Sequence, residues 1–337
     1  MQTTINWEAV KPESIYMNNE SLSKLEQTIK SDYHNINGII IIKDGHLAYE
    51  KYFNGKGPDH CHHVASVTKS VLSALIGIAI DKGYINSVEE KVLGFFPEYT
   101  FASNQQKQQI TIRHLLSMTV PYPFEDWHEP LDKLCQQQDW IKYTLDLMGA
   151  NGDIGAFKYS TAGAHVLSAI LTKSTGKSAR AFANEHLFTP LGMKEIPNYQ
   201  MNAYGFDDLF GKNVKGWVHD PNGHSTGGWG LTLTTRDMAR FGYLYINNGM
   251  LNNNRVLSET WIRESTEMNY HNYGYLWWLR RDDGLFTYSA IGDGGNMICC
   301  IPKLNMVVAI GSEFIMNPRD RWPLMKEYII PAVKNNQ

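Results

Sequence analysis

Apolar and polar positions divide the chain into three stretches. The first holds Gly38-Ile39-Ile40-Ile41-Ile42, then Asp44-Gly45, then the run Leu47 to Phe53. Two β-rich runs around an Asp-Gly pair predict a hairpin. A histidine-rich loop, Asp59-His60-Cys61-His62-His63, leads into a segment from Ser66 to Lys82 that is apolar nearly all round between Val71 and Ile80. That pattern predicts a helix buried on every side, with Gly83 at its C-terminal cap. The second stretch, 84–210, reads mainly as helices separated by turns: Ile112 to Met118, Leu131 to Leu147, Ala162 to Ser174 and Ala179 to Phe188. The third opens with a helix at Thr235 to Asn247. It then returns to β-rich runs at Tyr273 to Leu279, Leu285 to Ala290, Met297 to Ile301 and Met306 to Ile310, and closes with a helix from Arg321 to Val333. Strands at both ends and helices between predict an α/β (α+β) fold. An antiparallel sheet flanked by helices would come from 1–83 and 211–337, and 84–210 would be an inserted, mostly helical lobe.

Composition narrows the classes. At ~100–200 residues per domain, 337 residues allow two domains or one with an inserted lobe. With 43% hydrophobic and 12% aromatic residues, a disordered chain is excluded. The net charge of −3, without a basic block, gives no reason to expect nucleic acid or a charged membrane surface as partner. The most apolar stretch, Val71 to Ile80, is about half of what spans a bilayer. The N-terminus has no secretory pattern, so the expected location is cytoplasmic, with a removed leader left open. The four cysteines show no CxxC spacing and read as reduced, mostly buried thiols. Adjacent Cys299 and Cys300 would face opposite sides of a strand.

Three segments carry candidate chemistry. Ser66-Val67-Thr68-Lys69 is an S-x-x-K, as are Ser21 to Lys24 and Ser174 to Lys177. Only Ser66 opens a fully apolar helix. Three residues is about one helical turn, so Ser66 and Lys69 share a face. A lysine in apolar surroundings at a helix N-terminus is hard to keep charged, its pKa should fall, and the neutral amine can take the serine proton. The same pair also fits a capping serine with a lysine reaching to solvent. Tyr159, in the turn Phe157 to Gly163, could serve as base or proton relay, or simply pack. Gly292-Asp293-Gly294-Gly295, between strand-like runs, would let a ligand or backbone approach closely, or form a turn.

In this order the segments resemble the serine β-lactamase and penicillin-binding-protein-like hydrolases. The likeness is to the class C β-lactamase-related branch, which includes esterases, D-aminopeptidases and 6-aminohexanoate-dimer hydrolases. It extends from about residue 36 to 315. Thr111 to Met118, Pro190-Leu191-Gly192-Met193 and Gly227 to Leu231 are further familiar segments. The resemblance implies Ser66 as nucleophile, Lys69 as its activating partner and Tyr159 as proton relay. The N–H groups of Ser66 and Gly295 would form an oxyanion hole. Catalysis would pass through an acyl-enzyme, without cofactor or metal. Thr161 stands for the asparagine of the family's Tyr-x-Asn, which implies a shortened or lost contact to substrate. Gly292-Asp293-Gly294 stands for its Lys/His-Thr-Gly. An acid at 293 disfavours penicillin and points to a neutral or amine-bearing small molecule or short peptide. Tyr122, in the segment Pro121 to Trp127, could line an aromatic acyl pocket with Trp217, Trp229, Trp277 and Trp278.

Other readings remain open at this level. A β-lactamase or D-alanyl-D-alanine carboxypeptidase would use the same residues. A non-catalytic binding or sensor domain would explain the altered motifs. A metallohydrolase would have to draw on His60, His62, His63, His219, Asp220 and His224, whose spacing matches no metal signature.

Overall fold

The computed structural model describes residues 7, 10–15, 17–101, 104–125, 128–211, 213–315 and 317–333. Helix α1 is Asn19–Asp32, strand β1 Ile36–Lys43, β2 His46–Tyr52 and helix α2 Val67–Asp81. Helix α3 is Thr161–Thr175 and α4 Thr235–Ile246. Strands β3 Trp278–Asp282, β4 Leu285–Gly292, β5 Asn296–Ile301 and β6 Met306–Ser312 complete one antiparallel sheet of order β2-β1-β6-β5-β4-β3. Both chain ends therefore build the sheet, with β1 paired to β6 through Ile40 opposite Ala309.

The run of isoleucines reflects a sheet covered on both faces. Ile40 and Ile42 join a hydrophobic cluster that also contains α2, α3 and α4 residues. Ile39 and Ile41 face the opposite way, onto Leu22, Leu25 and Ile29 of α1 and Leu324 to Ile329 of the C-terminal helix. Alternation is lost because neither face sees water. Cys299 and Cys300 divide between the same two clusters, on opposite faces of β5.

Several boundaries differ from the sequence reading. Helix α1 has no counterpart among the elements predicted from the sequence. Its three apolar positions suffice because they share one face, capped by Asn18. Leu131 to Leu147 is two helices, Leu131–Cys135 and Trp140–Leu147, because Asp139 caps a new one by accepting from Lys142 N. Within Tyr273 to Leu279, Leu276 has φ of +61°, so the regular strand starts only at Trp278. Among the described residues, no helix is long and apolar enough to cross a membrane.

Helix α4 lies close on the sheet at Gly242. A Cβ there would come within 2.5 Å of Val307 Cγ1 and 2.7 Å of Ile298 Cγ2. On an exposed helix, Gly→Ala stabilises by about 1 kcal/mol. Here overpacking reverses the sign, and Gly242→Ala should lose about 1–3 kcal/mol. Urea unfolding of the two proteins measures this, and a higher midpoint for the alanine variant would contradict the packing.

Candidate active site

The turn into α2 is held in an unusual conformation. Ala65 has φ of +46°, a left-handed value that a non-glycine residue adopts only under constraint. His63 supplies part of that constraint. Its Nδ1 accepts from Ala65 N at 3.3 Å, and its Nε2 lies 3.1 Å from the carbonyl of Leu209. Burial, the main cause, pushes the His63 imidazole down to about 4, so it stays neutral near pH 7.

Ser66 follows at the N-cap position, yet its side chain makes no capping hydrogen bond. The capping alternative therefore does not hold, and neither does a solvent-seeking lysine, for Lys69 is only 1% exposed. Lys69 Nζ donates to Ser66 Oγ at 3.0 Å, Thr161 Oγ1 at 3.1 Å and Gly228 O at 2.8 Å. It also lies over the Tyr159 ring, 4.8 Å from its centroid. Among the described residues no carboxylate forms an ion pair with it. Three neutral oxygens from three segments stand in for its water shell.

Each segment has its own support. Tyr159 and Thr161 flank Ser160, the N-cap of α3, whose hydroxyl accepts from Gly163 N. Glu129 reaches this helix end from a loop. Its carboxylate accepts from Thr161 N at 2.6 Å, Ala162 N at 2.8 Å and Ser160 Oγ at 2.9 Å. Burial raises the Glu129 carboxyl above its ordinary value, against these bonds and the Lys69 charge, which pull it down. The neighbour of Gly228 is tied to α3, Gly227 N donating to His165 Nδ1 at 3.3 Å, and behind that histidine lies the fully buried Asp220. Asp220 Oδ2 lies 3.1 Å from His165 Nε2 on α3 and 2.9 Å from His224 Nδ1. Burial opposes its ionisation, but the two histidine bonds outweigh that and hold the carboxyl well below the usual range. Gly228 itself must lack a side chain, since a Cβ would come within 2.5 Å of Thr161 Cγ2.

The opposite wall is the turn from β4 to β5. A Cβ on Gly292 would collide with Val64 O and lie 3.1 Å from Ser66 N. Strand β4 thus abuts the Ser66 backbone, which only glycine permits. Asn296 ties the turn to that segment, donating to His63 O at 3.3 Å and to Asp293 O at 3.0 Å. Gly294 and Gly295 have φ of +79° and +85°.

Between these walls lies a cleft of about 620 Å³, within the ~300–1,000 Å³ of small-molecule sites. Ser66, Glu129, Tyr159, Thr161, Asp293 and Gly295 line it, with Leu131, Trp278, Ile291 and Met297 as apolar surface, and Arg319, Asp320 and Arg321 complete the lining. Trp278 stacks on Tyr159 at 5.7 Å.

Not every expected residue is there. Tyr122 and Trp229 are each 2% exposed and do not line the cleft. Tyr122 stacks on Phe124, and Trp229 lies between Trp140 and Phe210. Their expected role in substrate binding is corrected to packing: a large aromatic ring fills the core beside the site rather than facing it. Trp217 and Trp277 are likewise buried, and Asp126 and Trp127 lie outside the described residues. Gly294 is buried behind the cleft lining, and its carbonyl accepts from Asn35 at 2.6 Å. Of the histidines, His62 is buried with its ring pushed down to about 3, mainly by burial. His224 serves Asp220. Among the described residues, no group of three or more His, Cys, Asp or Glu is placed to hold a metal ion.

Glu129 and Arg321 were not singled out as site residues from the sequence, because they act through contacts far along the chain that leave no local spacing. Asp220 was named only as a possible metal ligand, whereas the structure pairs it with His165 and His224. The Gly227-Gly228 pair was a visible signal without an evident role.

Comparison with known proteins places this geometry. The chain is 23% identical over 256 residues to the 6-aminohexanoate-dimer hydrolase of Paenarthrobacter ureafaciens, covering 72% of this chain and 59% of that protein. Two solved structures share the fold. The octameric penicillin-binding protein homologue from Pyrococcus abyssi superposes with a TM-score of 0.70 at 19% identity, over 93% of this chain and 77% of that one. EstCE1, a hydrolase with promiscuous acyltransferase activity, superposes with a TM-score of 0.70 at 16% identity, over 96% and 99%. The sequence profile of the Beta-lactamase family matches residues 25–314, nearly the whole described fold, and the chain belongs to that family.

Proposed function

We propose that the protein hydrolyses an ester or amide bond of a small molecule or short peptide through an acyl-enzyme on Ser66. The observation that carries this reading is Lys69 Nζ, buried and 3.0 Å from a Ser66 hydroxyl that caps nothing and lines a cleft. With Lys69 in its deprotonated form, in which the Ser66 hydroxyl would donate to Nζ rather than accept from it, Ser66 Oγ would bond to the substrate carbonyl carbon while its proton passes to the Nζ lone pair. The carbonyl electron pair moves to oxygen. When that tetrahedral intermediate collapses, the leaving alcohol or amine departs with a proton relayed by Lys69 and Tyr159. Water then repeats the sequence and frees the acid.

The oxyanion would be held by Ser66 N–H and by an N–H of the Asp293–Gly295 turn. Two groups there qualify. Gly295 N–H belongs to a peptide whose carbonyl, Gly294 O, is tied back to Asn35 and Arg321. Asp293 N–H directly follows Gly292, the residue against Ser66 N. Thr161 supports the reading despite replacing asparagine, because its hydroxyl supplies the oxygen that receives Lys69.

Asp293 is exposed on the cleft wall, which favours substrates with an amine near the scissile bond. Arg319 on the same wall is the observation favouring a second reading, a carboxylate-bearing substrate such as a β-lactam.

Intact-mass measurement with a p-nitrophenyl ester should show an acyl adduct on the wild type and none on Ser66→Ala. An adduct of equal yield on the alanine variant would refute the nucleophile assignment. Thr161→Val removes one of the three oxygens on Lys69 and should lower kcat at least ~10-fold, within the range of acid–base contributions, while Thr161→Asn retains most of it. Equal kcat for valine and wild type would detach Thr161 from the mechanism. Asp293→Asn should lower kcat/KM for amino-acid esters relative to amine-free esters. An unchanged ratio, together with rapid turnover of a chromogenic cephalosporin, would favour the second reading.

A further inference from the structure

Arg321 is a buried cation outside the catalytic residues considered so far. It is 3% exposed, and among the described residues it has no ion-pair partner. A buried guanidinium ordinarily sits on a carboxylate, because desolvating an unpaired charge costs several kcal/mol. Here its donors go instead to neutral oxygens, and the turn beside Ser66 provides two of them. Nη2 donates to Gly294 O at 3.1 Å and to Asn35 Oδ1 at 2.8 Å, and Nε donates to Gly295 O at 3.2 Å. Nη1 closes back on Arg319 O at 2.9 Å.

The turn is shaped to receive it. A Cβ on Gly295 would come within 2.5 Å of Arg321 Cζ and 2.6 Å of Nε, so the guanidinium packs directly on the glycine backbone. In a trans peptide, C=O and N–H point in opposite directions. With Gly294 O drawn toward Arg321, the N–H of the same peptide is aimed away from it. Both Arg321 and Gly295 belong to the cleft wall. Burial lowers the Arg321 pKa to about 10, which leaves it charged at neutral pH.

We propose that Arg321 is a positioning residue for acyl transfer: its fork fixes the Asp293–Gly295 turn from behind, and its unpaired charge favours negative charge on a substrate oxygen in front of it. The inference rests on the proposed acyl-enzyme chemistry at Ser66. It differs from a merely structural clamp of the C-terminal segment in what it predicts for tetrahedral anions.

The test compares wild type, Arg321→Gln, Arg321→Lys and a control, Arg236→Gln, whose bidentate pair with Glu50 lies outside the cleft lining. All are measured at a temperature where circular dichroism shows them folded. The probes are p-nitrophenyl acetate turnover and binding of phenylboronic acid. The latter forms a B–O bond with Ser66 Oγ as the serine O–H bond breaks and its proton passes to the Lys69 amine, giving a tetrahedral boronate anion from which no group leaves boron. Arg321→Gln should weaken boronate binding at least ~10-fold and lower kcat by a similar factor with little change in KM, within the range for losing oxyanion stabilisation. Arg321→Lys, which keeps the charge but not the fork, should fall between, and it decides the matter if the glutamine variant does not fold. Equal boronate affinity in wild type and the folded Arg321 variants would overturn the inference, as would an equal loss in Arg236→Gln. A wild type that forms no adduct with either probe would overturn the Ser66 reading and this inference with it.

Discussion

The site depends on one buried lysine amine. Lys69 sits in the first turn of a helix that is otherwise apolar, so partners for its Nζ must come largely from outside α2. Its hydrogen bonds fall on Ser66, on the first residue of α3 and on the Gly228 carbonyl. Losing any one would leave a buried donor unsatisfied, at about 1–3 kcal/mol, more for a charged group. The relative placement of α2, α3 and the 220–228 loop is therefore tied to the hydrogen bonding of one side chain. Glu129 and Asp220 sit one layer further out. The first anchors the N-terminus of α3, where a carboxylate meets unsatisfied N–H groups and a favourable dipole. The second bridges α3 to the loop through His165 and His224.

The sheet contributes the other half of the cleft by close approach rather than by side chains. Gly292 brings β4 against the Ser66 backbone, and Gly295 admits Arg321. The wall nearest Ser66 is thus made of peptide groups, whose dipoles are fixed by the fold. Apolar surface from Trp278, Ile291 and Met297 limits water around them, which strengthens each electrostatic contact.

How much of this was legible in the sequence varies with the range of the interactions. The isoleucine run, the Asp-Gly hairpin, the buried helix after Ser66 and the two-ended sheet follow from local pattern, and all appear where expected. So does the spacing that puts Ser66 and Lys69 together, since one helical turn is a local fact. Helix α1 escaped because Leu22, Leu25 and Ile29 are a thin stripe in a polar segment. Tyr122 and Trp229 show the same limit at the site: an aromatic residue near a cleft in sequence has the same composition whether it lines the cavity or fills the core behind it. Glu129 and Arg321 are out of reach for a different reason. Glu129 meets α3 from 31 residues upstream, and Arg321 meets Gly294 across 27, so only the tertiary fold gives them a meaning.

The two departures from the family's motifs are resolved differently by the structure. At Thr161 a shorter side chain still presents an oxygen to Lys69, at 3.1 Å. At Gly292-Asp293-Gly294 the expected cation is missing from the strand, yet Arg319 and Arg321 bring cations to the same wall from the segment after β6. One is buried and committed to the turn; the other is largely exposed, 3.5 Å from Asp32. Loss of the strand cation therefore does not make the wall uniformly acidic. It separates two roles by burial: Arg321 cannot reach a substrate without giving up the turn, whereas Arg319 and Asp293 remain accessible and of opposite sign. Under the proposed acyl-transfer reading, a substrate meeting this wall would encounter both charges, and the distance between its own charged groups and the scissile bond would decide which of them it uses.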